Sequence, residues 1–266
     1  MNYQIIPCKS QKNAEIVILS SGLGGHAAFW APQIEMLTQY FQVLVYDQEG
    51  CHANSELLPR SYSMQDMAQQ VLDILNVEQI KQCHFIGHAL GALIGAELAV
   101  LLQSSDIQLS SLTFINAWNQ LDPHTLKCFQ ARMALLNHSG AEAYVRAQAL
   151  FLYPPAYISK NIEQIQRSEN VGLADFPPTQ NVLARLNALM NFEITDVHVQ
   201  ALSQTALYYI ANQDDFLVPY QKSIDLKNRL GHGEFALMPT GAHASTITET
   251  ERVNQQILQN LIGVKA

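Results

Sequence analysis

Charge is scarce in this chain of 266 residues: 14% of them are charged, with 15 Lys and Arg against 23 Asp and Glu, for a formal net charge of −8. The few basic residues are scattered, so no patch is able to neutralise several phosphates, and no nucleic-acid partner is expected. Cysteine is scarce too. The four cysteines, Cys8, Cys51, Cys83 and Cys128, lie far apart with no paired spacing, which speaks against a disulfide framework or a zinc site and for a reduced, cytoplasmic protein. Long apolar runs are missing as well: the longest uncharged apolar stretch, Cys83 to Ala96, carries two histidines and three glycines, and the opening MNYQIIPCKSQK is interrupted by polar and turn-forming residues. Neither a membrane span nor a signal peptide is expected, and nothing implies a metal or another cofactor.

Apolar residues nevertheless make up 48% of the chain, enough to build a real core, and one core domain is the economical arrangement at this length. Short β-branched runs alternate with helical patterns: Glu15 to Ser20, Phe41 to Tyr46, Cys83 to Ile86, Leu112 to Ile115, Ala206 to Ile210 and Phe235 to Met238. Strands this continuously apolar are expected to be buried on both faces of a mostly parallel sheet. Ser63 and Asp66 stand in capping-box spacing before a stripe of Met67, Val71, Ile74 and Leu75, predicting an amphipathic crossover helix. A last helix is expected from Thr248 and Glu251 through Val253, Ile257, Leu258 and Leu261 to a stop at Gly263. Between the fourth and fifth of these helix-linked strands, residues 121–197 carry helical signals alone: Asp122-Pro123, Ala141 to Leu150, Ser159 to Ile165, and Thr179 to Met190 after Pro177-Pro178. This predicts a helical cap inserted in a core formed by 1–120 and 198–266, placed over the carboxyl edge of the sheet, where open α/β folds bind ligands.

The run Cys83-His84-Phe85-Ile86-Gly87-His88-Ala89-Leu90-Gly91 is a strand leading straight into a helix, with glycine two residues to either side of position 89. A very tight strand-to-helix turn needs small residues there, because it brings two backbones together and lifts residue 89 out of the sheet. Close packing of a helix on a strand would call for the same glycines. Two later segments favour the turn: Asp214-Asp215 ends one strand, and His243 follows the next in a loop of small residues. Turn, then acid, then histidine is the chain order of one known catalytic triad.

On these residues the chain resembles the α/β-hydrolase superfamily along nearly its whole length. Ser21-Gly22-Leu23-Gly24 occupies the place of that superfamily's oxyanion loop, and Tyr46-Asp47-Gln48-Glu49-Gly50 resembles its second-strand turn. The resemblance implies the nucleophile position at Ala89, the acid at Asp215, the base at His243, and oxyanion donors at the backbone amides of Leu23 and Leu90. Two departures stand out: Ala89 has no side-chain nucleophile, and Glu49 stands where arginine is usual. Gly87-His88-Ala89-Leu90-Gly91-Ala92-Leu93, Phe151-Leu152-Tyr153-Pro154 and Arg185-Leu186-Asn187-Ala188-Leu189 more closely resemble the D-protein family of the Rut pyrimidine-utilisation pathway, which carries alanine at this turn. That resemblance implies uracil breakdown for nitrogen, by hydrolysis of carbamate or of 3-aminoacrylate with release of ammonia.

An acyl-enzyme cannot form on Ala89, yet a histidine oriented by a carboxylate can still give and take the protons both substrates require. The expected partner is therefore a small anion. Trp30, Trp118 and Arg185 are candidates to bind it, with Phe29, Tyr153 and Arg146 as further possible contacts, and Asp214 could exchange roles with Asp215. His84 and His88 read as core or supporting histidines. Two other readings remain. A scaffold without a nucleophile could bind a small anionic metabolite without turning it over. Alternatively, Gly22-x-Gly24-x-x-Ala27 with Asp47 about 20 residues on follows the dinucleotide-binding pattern, although Gly24-Gly25-His26 leads to Pro32 rather than straight into a helix. The low charge fraction also leaves room for a homodimer interface.

Overall fold

The structure, a computed structural model, describes residues 2–263. Its elements in chain order are β1 (Tyr3–Ile6), β2 (Ile16–Ser20), α1 (Ala31–Leu37), β3 (Gln42–Tyr46), α2 (Met64–Val77), β4 (Gln82–His88), α3 (Leu90–Leu102) and β5 (Gln108–Ile115). There follow α4 (Pro123–Leu152), α5 (Pro155–Lys160), α6 (Ile162–Ala174), α7 (Thr179–Met190), α8 (Asp196–Leu202), β6 (Ala206–Asn212), α9 (Tyr220–Leu230), β7 (Glu234–Met238), α10 (Ser245–Thr248) and α11 (Thr250–Ile262). Seven strands form one sheet in the order β1-β3-β2-β4-β5-β6-β7. β1 runs antiparallel to β3, and the remaining pairs are parallel.

Helices cover both faces. Along β2, Ile16 and Ile18 point into a core shared with α2, α3 and α9, while Val17 and Leu19 point into a second core with Trp30, Leu37 of α1, and Val253 and Ile257 of α11. This period of two, apolar on both sides, is why the central strands read as unbroken apolar runs. β7 departs from that expectation: it is an edge strand and only partly buried. β1 has no counterpart in the sequence reading, because four residues of mixed polarity on the other edge carry too short a signal.

Local signals set several helix ends. Ser63 Oγ accepts from Asp66 N, and Asp66 Oδ2 accepts from Ser63 N at 2.8 Å, closing the capping box of α2. Gly263 ends α11 at φ 68°, a left-handed conformation that costs glycine little. α11 itself starts later than expected, at Thr250, because residues 245–248 form the separate short α10.

Between β5 and β6 every element of secondary structure is a helix. α4 starts as predicted, with Asp122 Oδ1 accepting from Thr125 N and Pro123 in the first turn. It continues to Leu152 across a kink at Gly140, whose φ of 84° and ψ of −178° few other residues would adopt. The helix expected over Ser159 to Ile165 is instead broken at Asn161 into α5 and α6, whereas α7 spans Thr179–Met190 as the sequence predicts. α8 spans position 197 and is tied to α3 through His198 Nε2 and Glu97 Oε2 at 3.0 Å. No helix among the described residues is long and apolar enough to cross a membrane.

The closest packing lies where β4 meets α3. A Cβ on Gly91 would stand 2.1 Å from Ser20 O, and one on Gly87 would stand 2.3 Å from the backbone of Ala92. Gly91→Ala is therefore expected to destabilise the fold by at least about 3 kcal/mol. Gly172→Ala, on α6 where nothing lies within 4 Å of the added carbon, should be neutral or stabilising by up to about 1 kcal/mol. Urea unfolding of both variants against the parent checks the pair.

Candidate active site

One residue, Ala89, connects β4 to α3. It sits at φ 48° and ψ −112°, a region that costs a residue with a side chain about 1–3 kcal/mol. The glycines on either side allow the approach that enforces it, and Ala89 N donates to Ile115 O at 2.8 Å. Leu90 opens α3, so its N–H has no acceptor inside the helix. Leu23, in the loop after β2, lines the same cavity as Ala89 and Leu90.

The residues after β6 and β7 meet here. His243 Nδ1 lies 2.8 Å from Asp215 Oδ2, with both side chains almost fully enclosed. Asp215 Oδ1 accepts from the backbone N–H groups of Leu217 and Val218, each at 2.9 Å, so the carboxylate is held at both oxygens. The neighbouring acid does something else. Asp214 accepts from Ala242 N at 2.8 Å and Gly241 N at 3.2 Å, clamping the loop that carries His243. The carbonyl of His243 is gripped in turn by Asn116 Nδ2 at 2.7 Å and His88 Nε2 at 2.8 Å. With Nδ1 committed to Asp215, Nε2 is the ring nitrogen left for chemistry.

A cavity of about 390 Å³ opens between this strand edge and helices α4, α6 and α7. His243, Ala89 and Trp118 line it, and the Trp118 Nε1–H has no acceptor among the described residues. Arg185, on α7, also lines it. Its guanidinium is buried, donates through Nη2 to Gln48 Oε1, and forms no salt bridge among the described residues. Burial pulls its pKa below the usual arginine value, though arginine stays protonated. Gln48 is itself fixed, donating to Ser21 O at 2.7 Å.

A second buried arginine was not singled out from the sequence. Arg132 of α4 lines the cavity, donates to Gln148 Oε1 at 2.6 Å and Tyr144 Oη at 3.2 Å, and stacks near Phe129 and Phe151 without a carboxylate partner among the described residues. Its position on an inward turn of a kinked helix gives no signal in the sequence beyond a lone basic residue among apolar ones.

The comparisons with known proteins bear on this geometry. The pattern of the serine aminopeptidase, S33 family matches residues 11–251. A protein of Acinetobacter baylyi named "Putative carbamate hydrolase RutD" is 52% identical over 261 residues, covering 98% of each chain. A protein of the same name from Stutzerimonas stutzeri is 44% identical and covers 95% of this chain and 94% of its own. The chain belongs to the RutD family of α/β-hydrolases. Solved structures agree on the fold: an enol-lactonase from Burkholderia xenovorans superposes with a TM-score of 0.83 at 19% identity, over 97% of this chain and 95% of that one. An α/β-hydrolase enzyme from a Medee basin deep-sea metagenome library gives a TM-score of 0.85 at 15% identity, over 99% and 94%.

Within this hydrolase framework several sequence-based candidates move. Trp30 is not a cavity residue: it is wholly enclosed in the second core, edge-on to Phe29 at 5.2 Å, and Phe29 is the aromatic that reaches the cavity. Arg146 points away and pairs with Glu142 and Glu169 on the surface. Glu49 is exposed and accepts from the Tyr62 hydroxyl at 3.2 Å. In the dinucleotide-like segment, Asp47 Oδ1 accepts from Ala27 N at 2.8 Å, so that oxygen closes the protein's own loop. His84 bonds Ser111 Oγ at 2.8 Å, away from the cavity.

His88 lies under His243, ring centroids 4.8 Å apart, and burial with the neighbouring imidazole lowers its pKa to about 3. Its Nε2 donates while its buried Nδ1 has no partner among the described residues, as a neutral ring requires. Below pH about 6.5 the unfolded chain binds a proton at this residue that the folded chain refuses, so stability falls as pH falls toward 3. Between pH 7 and pH 5 His88 should account for about 2 kcal/mol of lost stability. Urea unfolding at both pH values is expected to show a shallower loss in His88→Gln.

Proposed function

We propose that the chain hydrolyses a small anionic carbon–nitrogen substrate, carbamate or 3-aminoacrylate, in pyrimidine utilisation, releasing ammonia by general acid/base catalysis without a covalent intermediate. The observation that carries this reading is one cavity holding an oriented His243–Asp215 pair, an elbow with no nucleophile, and a buried arginine without an anionic partner among the described residues. The name of the relatives supports the carbamate form.

Burying an unpaired guanidinium costs several kcal/mol, which a bound anion offsets. Arg185 and the amides of Leu23 and Leu90 take the carboxylate end of the substrate. Protonated His243 delivers its proton to the carbamate nitrogen, the C–N bond breaks with its electron pair on nitrogen, and ammonia and carbon dioxide leave neutral imidazole behind. With aminoacrylate the same proton goes to carbon, water adds to the resulting iminium as neutral His243 takes back its proton, and the carbinolamine expels ammonia, its hydroxyl proton passing to nitrogen, to leave malonic semialdehyde. Asp215 keeps the ring oriented and steadies its charged form. Both substrates decompose unaided, so the modest acceleration that survives loss of a nucleophile, about 10³–10⁴-fold in stripped triads, is sufficient.

The methyl group of Ala89 supports a second reading, a site that binds the anion without turnover. Ammonia release from substrate generated in situ separates the two. The enzyme reading expects wild type to exceed both the protein-free rate and His243→Ala, whereas three equal rates overturn it in favour of binding. Ala89→Ser should leave ammonia release no faster while adding esterase activity toward a small activated ester. Arg185→Met is expected to raise KM at least tenfold while keeping or raising the melting temperature, since an apolar side chain of similar length removes an uncompensated charge.

A further inference from the structure

Beside the cavity, on the far side of Gly25, four side chains with metal-binding atoms converge. His26 lies in the loop after β2, and Asp47, Cys51 and His52 lie in the loop after β3. We propose that these four residues form a zinc site that ties the two loops together and steadies the helical cap.

The ligand atoms of the four all lie within 4.8 Å of one another. A tetrahedral zinc ion, with bonds of about 2.0–2.3 Å, spaces its ligands roughly 3.3–3.8 Å apart, so small side-chain movements close the site. One thiolate, two imidazoles and one carboxylate are a zinc donor set, softer than magnesium or calcium would select. Cys51 Sγ already stands 3.9 Å from His26 Nδ1, and the two imidazoles meet edge to face at 4.9 Å.

The surroundings are those of a metal-bound histidine. Asp175, at the end of α6, places Oδ2 2.6 Å from His52 Nδ1, and its Oδ1 accepts from Ala53 N at 3.0 Å. A carboxylate on Nδ1 sets the tautomer and leaves the Nε2 lone pair facing inward, as outer carboxylates do at zinc-bound histidines. There Nε2 lies 3.1 Å from Asp47 Oδ2, an oxygen that also accepts from Asn2 Nδ2, without the alignment of a hydrogen bond. Two acceptors facing each other at that distance need positive charge between them, either a bound cation or a second proton on His52. The thiolate and carboxylate together balance the charge of zinc, which lets the site coexist with the Arg185 guanidinium packed against Gly25. Four protein ligands leave no open position, so the ion is structural. Through Asp175 it fastens the end of α6 to the core, and through His26 it borders the cavity.

The test is titration of the chelator-treated full chain with zinc by calorimetry and with cobalt by absorption spectroscopy. The expected result is one ion per chain, bound tighter than about 1 µM, with tetrahedral cobalt bands and a thiolate-to-cobalt charge-transfer band, and a higher melting temperature with zinc. Cys51→Ser should abolish the charge-transfer band, and Cys128→Ala should retain it. Asp175→Asn should weaken zinc about 10–100-fold with the stoichiometry unchanged. Folded wild type that takes up neither ion, or binds cobalt without the thiolate band, overturns the proposal and leaves a His52 imidazolium between Asp47 and Asp175 as the occupant. Neither result depends on which substrate the enzyme turns over.

Discussion

Two backbone contacts at the junction of β4 and α3 set the rest of this molecule in place. Because Gly87 and Gly91 have no side chains, Ser20 and Ala92 approach where any Cβ would collide. That approach goes with the strained turn at Ala89, sets Leu90, the first residue of α3, against the cavity and leaves β2 and β4 side by side at their carboxyl ends. The same turn would hold a serine hydroxyl at its tip. Here it holds a methyl group that lines the cavity, so the strained position presents no attacking atom.

Around this point the loops divide the labour finely. Asp215 and Asp214 are neighbours in sequence, yet one accepts from the His243 ring and the other from the backbone that carries it. His88 and Asn116 then hold the His243 carbonyl. The imidazole is thus fixed through both its ring and its main chain, leaving Nε2 at one geometry against the cavity. On the cap side, two guanidiniums are buried against neutral partners, Gln48 for Arg185 and Gln148 with Tyr144 for Arg132. The cavity wall thus keeps positive charge enclosed without a carboxylate to meet it among the described residues.

Much of the architecture was legible in the linear order. Apolar runs of strand length revealed six of the seven strands, and the Ser63–Asp66 box and Gly263 marked helix ends, since these signals act over a few residues. β1 escaped because four half-polar residues become a strand only by pairing with β3. The break at Asn161 and the merging of α4 across Gly140 escaped because helical propensity on either side of each is similar, and packing within the cap decides where the chain turns.

The site divides in the same way. Spacing and order along the chain determined that position 89 stands on a strand-to-helix turn, that it lacks a nucleophile, and that an acid and a histidine follow successive strands, because each is a property of neighbouring residues. Only the tertiary structure decided that Asp215 rather than Asp214 meets His243, that Phe29 reaches the cavity while Trp30 fills the core, that Arg132 joins Arg185 there, and that His26, Asp47, Cys51 and His52 converge beside them. Those outcomes depend on which side chains from distant loops share one small volume, and the parallel strands that bring those loops together are joined by crossovers too long for any local pattern to span.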